Sequence, residues 1–515
     1  MLTVKNAVRF AIAAATAGAA ANSACALDIS TYNPSTATKV YVSGSTALDN
    51  TLVNAAIETA GPGGLCATGT ADIYYVGTTS SYTQRMIFCT ASSSSGISGP
   101  LAIFKESTVG SANGVQPLIN AAKGAATGLS FINPASITDT VCATTATVAA
   151  TGDFASYVNH SGCPTTAVTT NAIPTGGFSD VEAAILRTPS NAAISASDTS
   201  TYLSGSPTLD QVWAVALTKN AYYALQAAEG LTSPSDSPAN APSLSKQEVA
   251  GLISGNIFGW SQLGLAPTDD NVYICRRDNG SGTEASFEAY FVGARCSLSS
   301  LTVPQEDTNV VWANASGGAM RTCLQHMYAG GTQVGFYSTG SHTFPAGNQY
   351  AIGFLNTEIT AANLSGAGDS FRLVAVDGVL PTIANVQNGY WPYFSTGVAY
   401  QVKKGSNIPT GNAATVFTAL TGKIGHPVWT ADSNTNYATN PWGIVGDVSP
   451  AGLYAATNAP AVPATSTTAK TNPTNAYTKT SSGAIDNCDT PVWDSADLAT
   501  TPVEGKLLGT GTVND

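Results

Sequence analysis

The chain has 515 residues, more than one ordinary hydrophobic core contains, and this length predicts two lobes or domains. Its hydrophobic content is 43% and its charged content only 10%, against about 25% charged residues in typical soluble domains. This low charge, together with a formal net charge of −12, argues against nucleic-acid binding, for which a basic face is expected.

The N-terminal residues have the pattern of a secretory signal peptide. Lys5 and Arg9 precede an apolar, Ala-rich run, which ends in an Ala-Cys-Ala cleavage site. We assign residues 1–26 to the signal, and their loss moves the formal charge from −12 to −14. A lipoprotein anchored through Cys25 is a weaker alternative, because no Leu stands three residues before it. The protein is therefore expected in the periplasm or outside the cell.

Three segments share one plan: an apolar strand, a turn of small and hydroxyl residues, and apolar residues at helical spacing. Their turns are residues 43–46, 110–114 and 280–283. Each turn follows the carboxyl end of its strand, which is where open α/β sheets place their ligand crevice. The pattern predicts an α/β protein in which these turns face one crevice.

The segments between these elements have a different composition. Residues 61–100 and 138–176 are rich in Ser, Thr and Gly, and we interpret them as disulfide-tied excursions. Residues 455–487 contain few large apolar side chains, so we expect a surface arm there. No apolar run after the signal reaches the roughly 18 residues that a membrane-spanning helix needs.

Nine cysteines are present, and eight remain when Cys25 of the signal is set aside. An even number in an exported chain predicts disulfide bonds. Paired Cys-x-x-Cys motifs do not occur, which argues against a zinc site. Cys66 with Cys89 and Cys142 with Cys163 are predicted to form local bonds. The partners of four cysteines are left open: Cys275, Cys296, Cys323 and Cys488.

Residues 277–283 have the chemistry of an anion site. A helix N-terminus leaves amide groups unpaired and carries a partial positive charge, and Ser281 and Thr283 would add hydroxyl donors. Arg277 would supply a planar, charged fork that matches a tetrahedral oxyanion. Alternation along the strand points Arg276 away from Arg277, so we interpret Arg276 as a solvent or ion-pair residue.

A single turn of this kind is weak evidence, because Ser and Gly often cap a helix without binding anything. A helix end contributes roughly 0.3–1 kcal/mol, and a hydrogen bond to a charged group contributes about 1.5–3 kcal/mol. Micromolar binding needs about 8 kcal/mol. Tight binding of a small anion therefore requires several turns to converge on Arg277.

Four motifs carry a resemblance to a known family: "RRDNGSGTEASFEAYF", "VYVSGSTALDNTL", "STVGSANGVQPLI" and "GFSDVEAAIL". Together they resemble the periplasmic phosphate-binding protein of the phosphate ABC transporter, including its DING-type relatives, and the likeness spans residues 39–405. The resemblance implies an α/β, two-lobed type II periplasmic-binding-protein fold with two hinge strands. Long disulfide-tied loop insertions would be added to that fold.

The same resemblance implies domain boundaries. The chain would cross between the lobes near 212–220 and return near 395–404. The resulting segments are the signal peptide, 1–26; the first part of lobe 1, 27–215, with insertions 61–100 and 138–176; lobe 2, 216–395; and a return to lobe 1 with a low-complexity C-terminal segment, 396–515.

Carried over residue by residue, the family's phosphate contacts fall on the three turns, one arginine and one carboxylate. The implied ligand-binding residues are Ser45, Thr46, Ala47, Ser111, Asp180, Arg277, Ser281, Gly282 and Thr283. Asp180 best matches the carboxylate that accepts a hydrogen bond from protonated phosphate. Asn133 is a second candidate, because it lies at the more usual distance from the second turn. A carboxylate favours phosphate over fully ionised sulfate, so this choice decides selectivity.

The chain departs from the family at the partner of the arginine. The family often has an acidic residue where this sequence has Asn279. Asp278 is the available substitute, and otherwise Arg277 would be held less firmly.

The resemblance implies an exported solute-binding protein, not an enzyme, that binds inorganic phosphate or a similar oxyanion between its lobes for ABC-type uptake. A membrane permease would be its partner, and we expect a monomer without metal or cofactor. The four histidines lack metal-ligand spacing, and no Gly-x-Ser-x-Gly elbow occurs. The low charge, the cysteines and the long Thr/Ala/Ser segments support an alternative. This is an extracellular structural, adhesive or matrix protein on the same scaffold, without a transport role.

Overall fold

The structure is a computed structural model. It describes residues 29–431 except for 60–62, 80–81, 109, 126–127, 139, 143, 189–193, 294–302, 308, 334–341, 360 and 427–428, and beyond them only 470–471, 477–478, 492–493 and 512–513. The predicted signal peptide, most of the predicted surface arm, and Cys296 and Cys488 lie outside the described residues.

The first part of the chain forms strands where Val, Ile, Phe and Tyr alternate or cluster. The strands are β1 Thr38–Gly44, β2 Asp72–Gly77, β3 Tyr82–Thr90, β4 Pro100–Glu106, β5 Leu129–Ile132, β6 Thr144–Val148, β7 Tyr157–Cys163, β8 Val168–Ala172 and β9 Gly176–Ser179. The helices are α1 Asp49–Ile57, α2 Gln116–Ala122 and α3 Ala196–Tyr202.

The second part alternates strands and helices more regularly. The strands are β10 Leu203–Thr218, β11 Ser243–Leu244, β12 Tyr273–Arg277, β13 Val311–Asn314, β14 Thr332–Gln333, β15 His342–Thr343, β16 Ala351–Asn356, β17 Phe371–Leu373, β18 Ala375–Val376 and β19 Phe394–Val402. The helices are α4 Lys219–Ala228, α5 Lys246–Ile253, α6 Gly282–Phe291, α7 Gly317–Ala329, α8 Ile383–Gln387 and α9 Gly411–Lys423. Four short strands follow: β20 Lys470–Thr471, β21 Tyr477–Thr478, β22 Val492–Trp493 and β23 Thr512–Val513.

One mixed sheet runs through the described part of the chain, in the order β13-β12-β16-β10-β19-β9-β1-β4-β3-β2-β7-β6, and β17 also pairs with β10. In its first half, from β9 to β6, β1 lies parallel to β4 and β9. In its second half, from β13 to β16, β12 lies parallel to β13 and β16. The fold is therefore mixed α/β, and the predicted turns follow β1, β4 and β12 at the ends of parallel strands.

Two antiparallel strands, β10 and β19, connect these halves. β10 pairs with β19 over residues 203–212 and with β16 over residues 213–217, so this one strand belongs to both halves. The crossing segments that the resemblance implies, 212–220 and 395–404, fall largely on the end of β10 and on β19.

Helix α6 lies between the two halves and is buried on nearly every side. Its Ala285 packs in a core cluster with Val115 of the first half, whereas its Phe287 packs in the cluster around Trp213. Its polar side chains are buried as well, and the carboxylate of Glu284 accepts a hydrogen bond from the amide of Arg277 in β12. The N-terminus of α6, which carries the predicted anion motif, is thereby fixed between the halves.

Disulfide bonds join three pairs of described cysteines: Cys66–Cys89, Cys142–Cys163 and Cys275–Cys323. The first two were predicted and are confirmed. The third links β12 to α7 and resolves a pairing that the sequence leaves open. Such bonds are typical of oxidising compartments, which fits an exported protein.

The two Ser/Thr/Gly-rich segments contain strands as well as loops. β2 and β3 lie within 61–100, and β6 and β7 lie within 138–176, and all four extend the first half of the sheet. In β2, Ile73 faces one core cluster and its neighbour Tyr74 faces another, because successive side chains alternate across a sheet. The small polar residues that surround these strands obscured this alternation in the sequence.

Membrane-spanning and metal-binding features can be judged only for the described residues. None of their helices combines the length and the apolar character that crossing a bilayer requires. They also contain no group of three or more His, Cys, Asp or Glu side chains that could hold a metal ion. His160 pairs with Asp72 at 3.2 Å and is almost fully buried, which is a structural role of the kind expected for it.

Candidate functional site

The three predicted turns contact one another, and a fourth segment joins them. In the first turn, the Ser45 amide donates to the Phe178 carbonyl at 2.9 Å. In the second turn, the Ala112 amide donates to the Gly280 carbonyl of the third turn, also at 2.9 Å. The Asp180 amide donates to Ser111 Oγ at 2.9 Å. Four segments of the chain, residues 43–46, 110–114, 178–180 and 280–283, therefore meet at one place.

Glycines at two positions allow this close approach. Gly44 has φ +86°, and a Cβ built on it would lie 2.2 Å from the Phe178 carbonyl oxygen. A Cβ on Gly282 would lie 2.5 Å from Ser111 Oγ and 3.0 Å from Asp180 Cβ. A larger residue at either position would push the turns apart, because these separations are shorter than van der Waals contact.

The three turns and the segment 178–180 together form what we call the turn group. Arg277 is the last residue of β12, and its guanidinium extends into this group. It is 2% exposed, and it donates to the carbonyls of Asn314 and Ala315 at 2.9 and 3.0 Å. It also donates to the hydroxyls of Thr46 and Thr283, each at 3.2 Å. All four acceptors are neutral, so they fix the position of the guanidinium without neutralising its charge.

The environment of Arg277 is nevertheless acidic at longer range. Burial lowers the pKa of Arg277, and the negative charges of Asp180, Asp278 and Glu284 oppose that change. Asp278 thus acts electrostatically on the arginine, as the sequence suggested. The amide nitrogen of Arg277 donates to Glu284 Oε2 at 2.9 Å, which ties the strand to the first turn of α6.

Asp180 lies in the same group and is only 1% exposed. Burial raises the pKa of Asp180, while hydrogen bonds with Ser45 and Ser111 and the charges of Arg277 and Lys105 oppose the rise. Its Oδ1 atom has no hydrogen-bond partner among the described residues. A buried carboxylate oxygen without a donor is costly, and a ligand that carries a proton would satisfy it.

The second candidate for the acceptor, Asn133, lies elsewhere. It precedes the short 3-10 helix Pro134–Ser136, and its side chain accepts from the Ala135 amide at 3.1 Å. The backbone amide of Asn133 donates to the Ala167 carbonyl at 2.8 Å. Of the two candidates, the structure places Asp180 beside Arg277.

Arg276 points to the opposite side of β12, as strand alternation predicted. Its side chain is 1% exposed, and its Nη2 lies 3.5 Å from Glu284 Oε1, so the ion-pair interpretation is confirmed and the solvent interpretation is wrong. It also donates to the Pro304 carbonyl at 2.8 Å and to Asn279 Oδ1 at 3.0 Å. A distant loop covers this face, which a pattern within the strand does not reveal.

Not all predicted site residues face open space. A cavity of about 130 Å³ lies beside the turn group, and four predicted residues line it: Thr46, Ala47, Arg277 and Thr283. The other five are packed behind this wall: Ser45, Ser111, Asp180, Ser281 and Gly282. Ser281 caps α6, since its side chain accepts from the Glu284 amide. The five buried residues hold the turns together, and the four lining residues are accessible from the cavity.

Two features of the site were missed in the sequence. Lys105 is buried in β4, where its Nζ lies 3.0 Å from Asp49 Oδ1 and also donates to the carbonyl of Gly44 in the first turn. A lysine within an apolar strand was the available signal. The second feature is the segment "VWANASGGAM", which repeats the strand–turn–helix plan at β13 and α7 and supplies the carbonyls that hold Arg277.

No protein-family model matches this sequence, and no curated protein matches it. Solved structures resemble it: a phosphate ABC transporter substrate-binding protein with bound phosphate from Clostridium perfringens has 13% identity and a TM-score of 0.36, over 77% of this chain and 98% of that one. An ABC-type phosphate transport receptor from Vibrio cholerae has 12% identity and a TM-score of 0.35, over 76% and 98%.

A third solved structure, a human phosphate-binding apolipoprotein, has 14% identity and a TM-score of 0.32, over 55% of this chain and 78% of that one. The chain is thus similar to phosphate-binding proteins in structure. At these identities and TM-scores the likeness does not transfer a ligand. The ligand has to be inferred from the site itself.

Proposed function

We propose that this protein binds inorganic phosphate, or a similar tetrahedral oxyanion, against Arg277 and the three turns. The observation that carries the proposal is the setting of the Arg277 guanidinium, which is buried, positively charged and, among the described residues, hydrogen-bonded to neutral acceptors. A buried charge without a bound counter-ion is unfavourable, so an anion that contacts it is stabilised strongly.

The surrounding donors match an oxyanion of this shape. Thr46 and Thr283 line the cavity with hydroxyl groups, and the N-terminus of α6, which begins beside it, carries a partial positive charge. Each hydrogen bond to a charged group contributes about 1.5–3 kcal/mol. Four such bonds supply the roughly 8 kcal/mol of micromolar binding. The net charge of the chain is negative, so local dipoles and Arg277 must provide the attraction.

Asp180 is proposed as the selectivity residue. In the structure its Oδ1 lies behind the cavity wall without a hydrogen-bond partner among the described residues, and we propose that it accepts from a protonated phosphate that enters between the turns, whereas fully ionised sulfate has no proton to donate. Two negative oxygens in contact would repel each other in a buried site. Phosphate is therefore favoured over sulfate.

The wider role that we infer is that of an exported receptor, which binds its ligand as a monomer and presents it to an ABC permease. The family resemblance of the sequence and the disulfide bonds support this inference. The role is one of binding, and no catalytic step is assigned.

Equilibrium dialysis with labelled phosphate tests the proposal. One saturable site per chain is expected, and a large excess of sulfate should leave it occupied. Asp180→Asn should narrow the preference for phosphate over sulfate by about tenfold, the scale of one hydrogen bond to a charged group. Absence of a saturable site, with self-assembly of the protein instead, would support the structural or matrix alternative.

A further inference from the structure

The cavity that Arg277 lines has a second polar wall, which the proposed phosphate contacts do not use. We call it the outer wall, and it consists of Asp49, Tyr82, Asn356 and Glu358. These residues come from α1, β3 and the end of β16, so three separate elements build it. One continuous space therefore has an oxyanion end and a wall of carboxylate, amide and phenol groups.

The outer wall is rigidly held. Asn356 Nδ2 donates to Glu358 Oε2 at 3.2 Å, and the Tyr82 hydroxyl donates to Asp49 Oδ2 at 3.1 Å. Lys105 lies 3.0 Å from Asp49 Oδ1 and fixes it from behind. Side chains that are held in place before a ligand binds lose little conformational entropy on binding.

The chemistry of the outer wall selects for a hydroxylated group. Carboxylate and amide oxygens accept hydrogen bonds from hydroxyls, and the rings of Tyr82 and Trp213 provide apolar surface in the same cavity. Small-molecule sites combine these two kinds of surface. Lys105 pairs with Asp49, and Arg321 lines the same cavity, so the carboxylates of this wall are balanced by cations. A neutral polyol, which carries hydrogen-bonding groups and no charge, is the best match for such a surface.

The space is sufficient for such a group. The cavity has a volume of about 130 Å³ and is partly open to solvent. An engineered cavity of about 150 Å³ holds the six carbons of benzene, so a phosphate fills much of this cavity and a longer ligand would extend toward its opening. An anion at the Arg277 end can therefore continue into a short organic group along the outer wall.

We propose that the natural ligand is a phosphate monoester of a hydroxylated alcohol, a polyol or a sugar. Its phosphate would lie against Arg277, and its hydroxyls would contact the outer wall. This inference rests on the proposed oxyanion site and specifies the ligand that the site receives.

Calorimetric titration of the exported, disulfide-bonded protein tests the inference with three probes: inorganic phosphate, methyl phosphate and glycerol 3-phosphate. Glycerol 3-phosphate should bind about tenfold more tightly than methyl phosphate, because only the former carries hydroxyls for the outer wall. Glu358→Gln should lower glycerol 3-phosphate affinity about tenfold and leave methyl phosphate affinity unchanged. Thermal unfolding of the variant controls for loss of fold.

The outcomes separate this inference from the proposed function. Equal affinity for the two esters, or binding of inorganic phosphate with exclusion of both esters, overturns the monoester inference and leaves the oxyanion site standing. Binding of none of the three probes overturns both. The expected order of affinities, with the selective effect of Glu358→Gln, supports both.

Discussion

Arg276 and Arg277 are adjacent in β12 and almost equally buried, but they lie in two regions with different electrostatics. Arg276 contacts the carboxylate of Glu284 at 3.5 Å. Among the described residues, the guanidinium of Arg277 has carbonyl and hydroxyl oxygens as its hydrogen-bond acceptors. The first region neutralises its guanidinium with the protein's own anion, and the second leaves the charge for a ligand.

This difference teaches that residue type and burial do not by themselves identify an anion site. The acceptors of the arginine decide, because a buried guanidinium held by neutral groups retains its attraction for an anion. Glu284 lies between the two regions, where it accepts from the Arg277 amide and pairs with Arg276. Its carboxylate thus separates a structural arginine from the arginine that we propose binds the ligand.

The largest effect is expected from Arg277→Ala. Four of the five guanidinium N–H groups donate to protein acceptors, so the change removes one hydrogen bond to the anion together with the buried charge opposite it, which should cost about 3–5 kcal/mol. Phosphate affinity measured by calorimetric titration should therefore fall at least about 100-fold. A fall of less than tenfold would contradict the proposal that Arg277, unlike Arg276, binds the anion.

The matched change in the other region is Arg276→Met, which should affect stability instead. Glu284 would remain buried without its partner, so the free energy of unfolding in urea should fall by about 3–5 kcal/mol. The double variant Arg276→Met/Glu284→Gln should recover most of this loss. If the double variant is as unstable as the single one, the ion pair is not the cause.

The pH dependence of stability should distinguish the Arg276 region further. Burial raises the pKa of Glu284 from 4.5 to about 7. Between these values the folded protein keeps the proton and the unfolded chain releases it, so stability should fall as pH rises from about 4.5 to about 7. Each pKa unit corresponds to about 1.4 kcal/mol. In the Glu284→Gln variant, the loss of unfolding free energy between pH 4.5 and 7 should be smaller by up to about 3 kcal/mol. Denaturant unfolding at several pH values in this range measures the difference.

A smaller effect is expected from Gly282→Ala, at the start of the Arg277 region. Its new Cβ would lie 2.5 Å from Ser111 Oγ, so the turns must move, at a cost of about 1–3 kcal/mol. Phosphate affinity and the unfolding free energy should both fall. The matched control is Gly422→Ala in α9, where a Cβ meets nothing within 4 Å, and a gain of about 0.5–1 kcal/mol is expected there.

Much of the site could be predicted from the sequence, because its signals are local. Alternating apolar residues that end in Gly located the strands and turns, and the arginine before Gly-Ser-Gly-Thr identified Arg277. Local cysteine spacing gave two of the disulfide bonds correctly. The choice between Asp180 and Asn133 needed the structure, because it depends on contacts between segments that are distant in sequence.

Other features could not be predicted, for physical reasons. Strands β2, β3, β6 and β7 lie in Ser/Thr/Gly-rich surroundings, which weaken the alternation signal, although both faces of β2 are buried. Arg276 is buried under the loop that contains Val303 and Pro304, and its guanidinium donates to the carbonyls of both residues. This loop lies outside the strand in sequence, so the pattern of the strand does not reveal the contact. The role of the "NASGG" turn in holding Arg277 is a backbone contact, and backbone carbonyls have no sequence signature.

The bond between Cys275 and Cys323 has a consequence for how the protein matures. Cys275 stands two residues before Arg277, and Cys323 lies in the helix whose first turn borders the cavity. The strand that carries Arg277 and the helix that borders the cavity are therefore joined covalently, whether or not a ligand is bound. The proposed ligand binding is thus linked to oxidative folding, because in a chain that has not been oxidised only non-covalent contacts, among them the hydrogen bonds of Arg277 to Asn314 and Ala315, join these two parts.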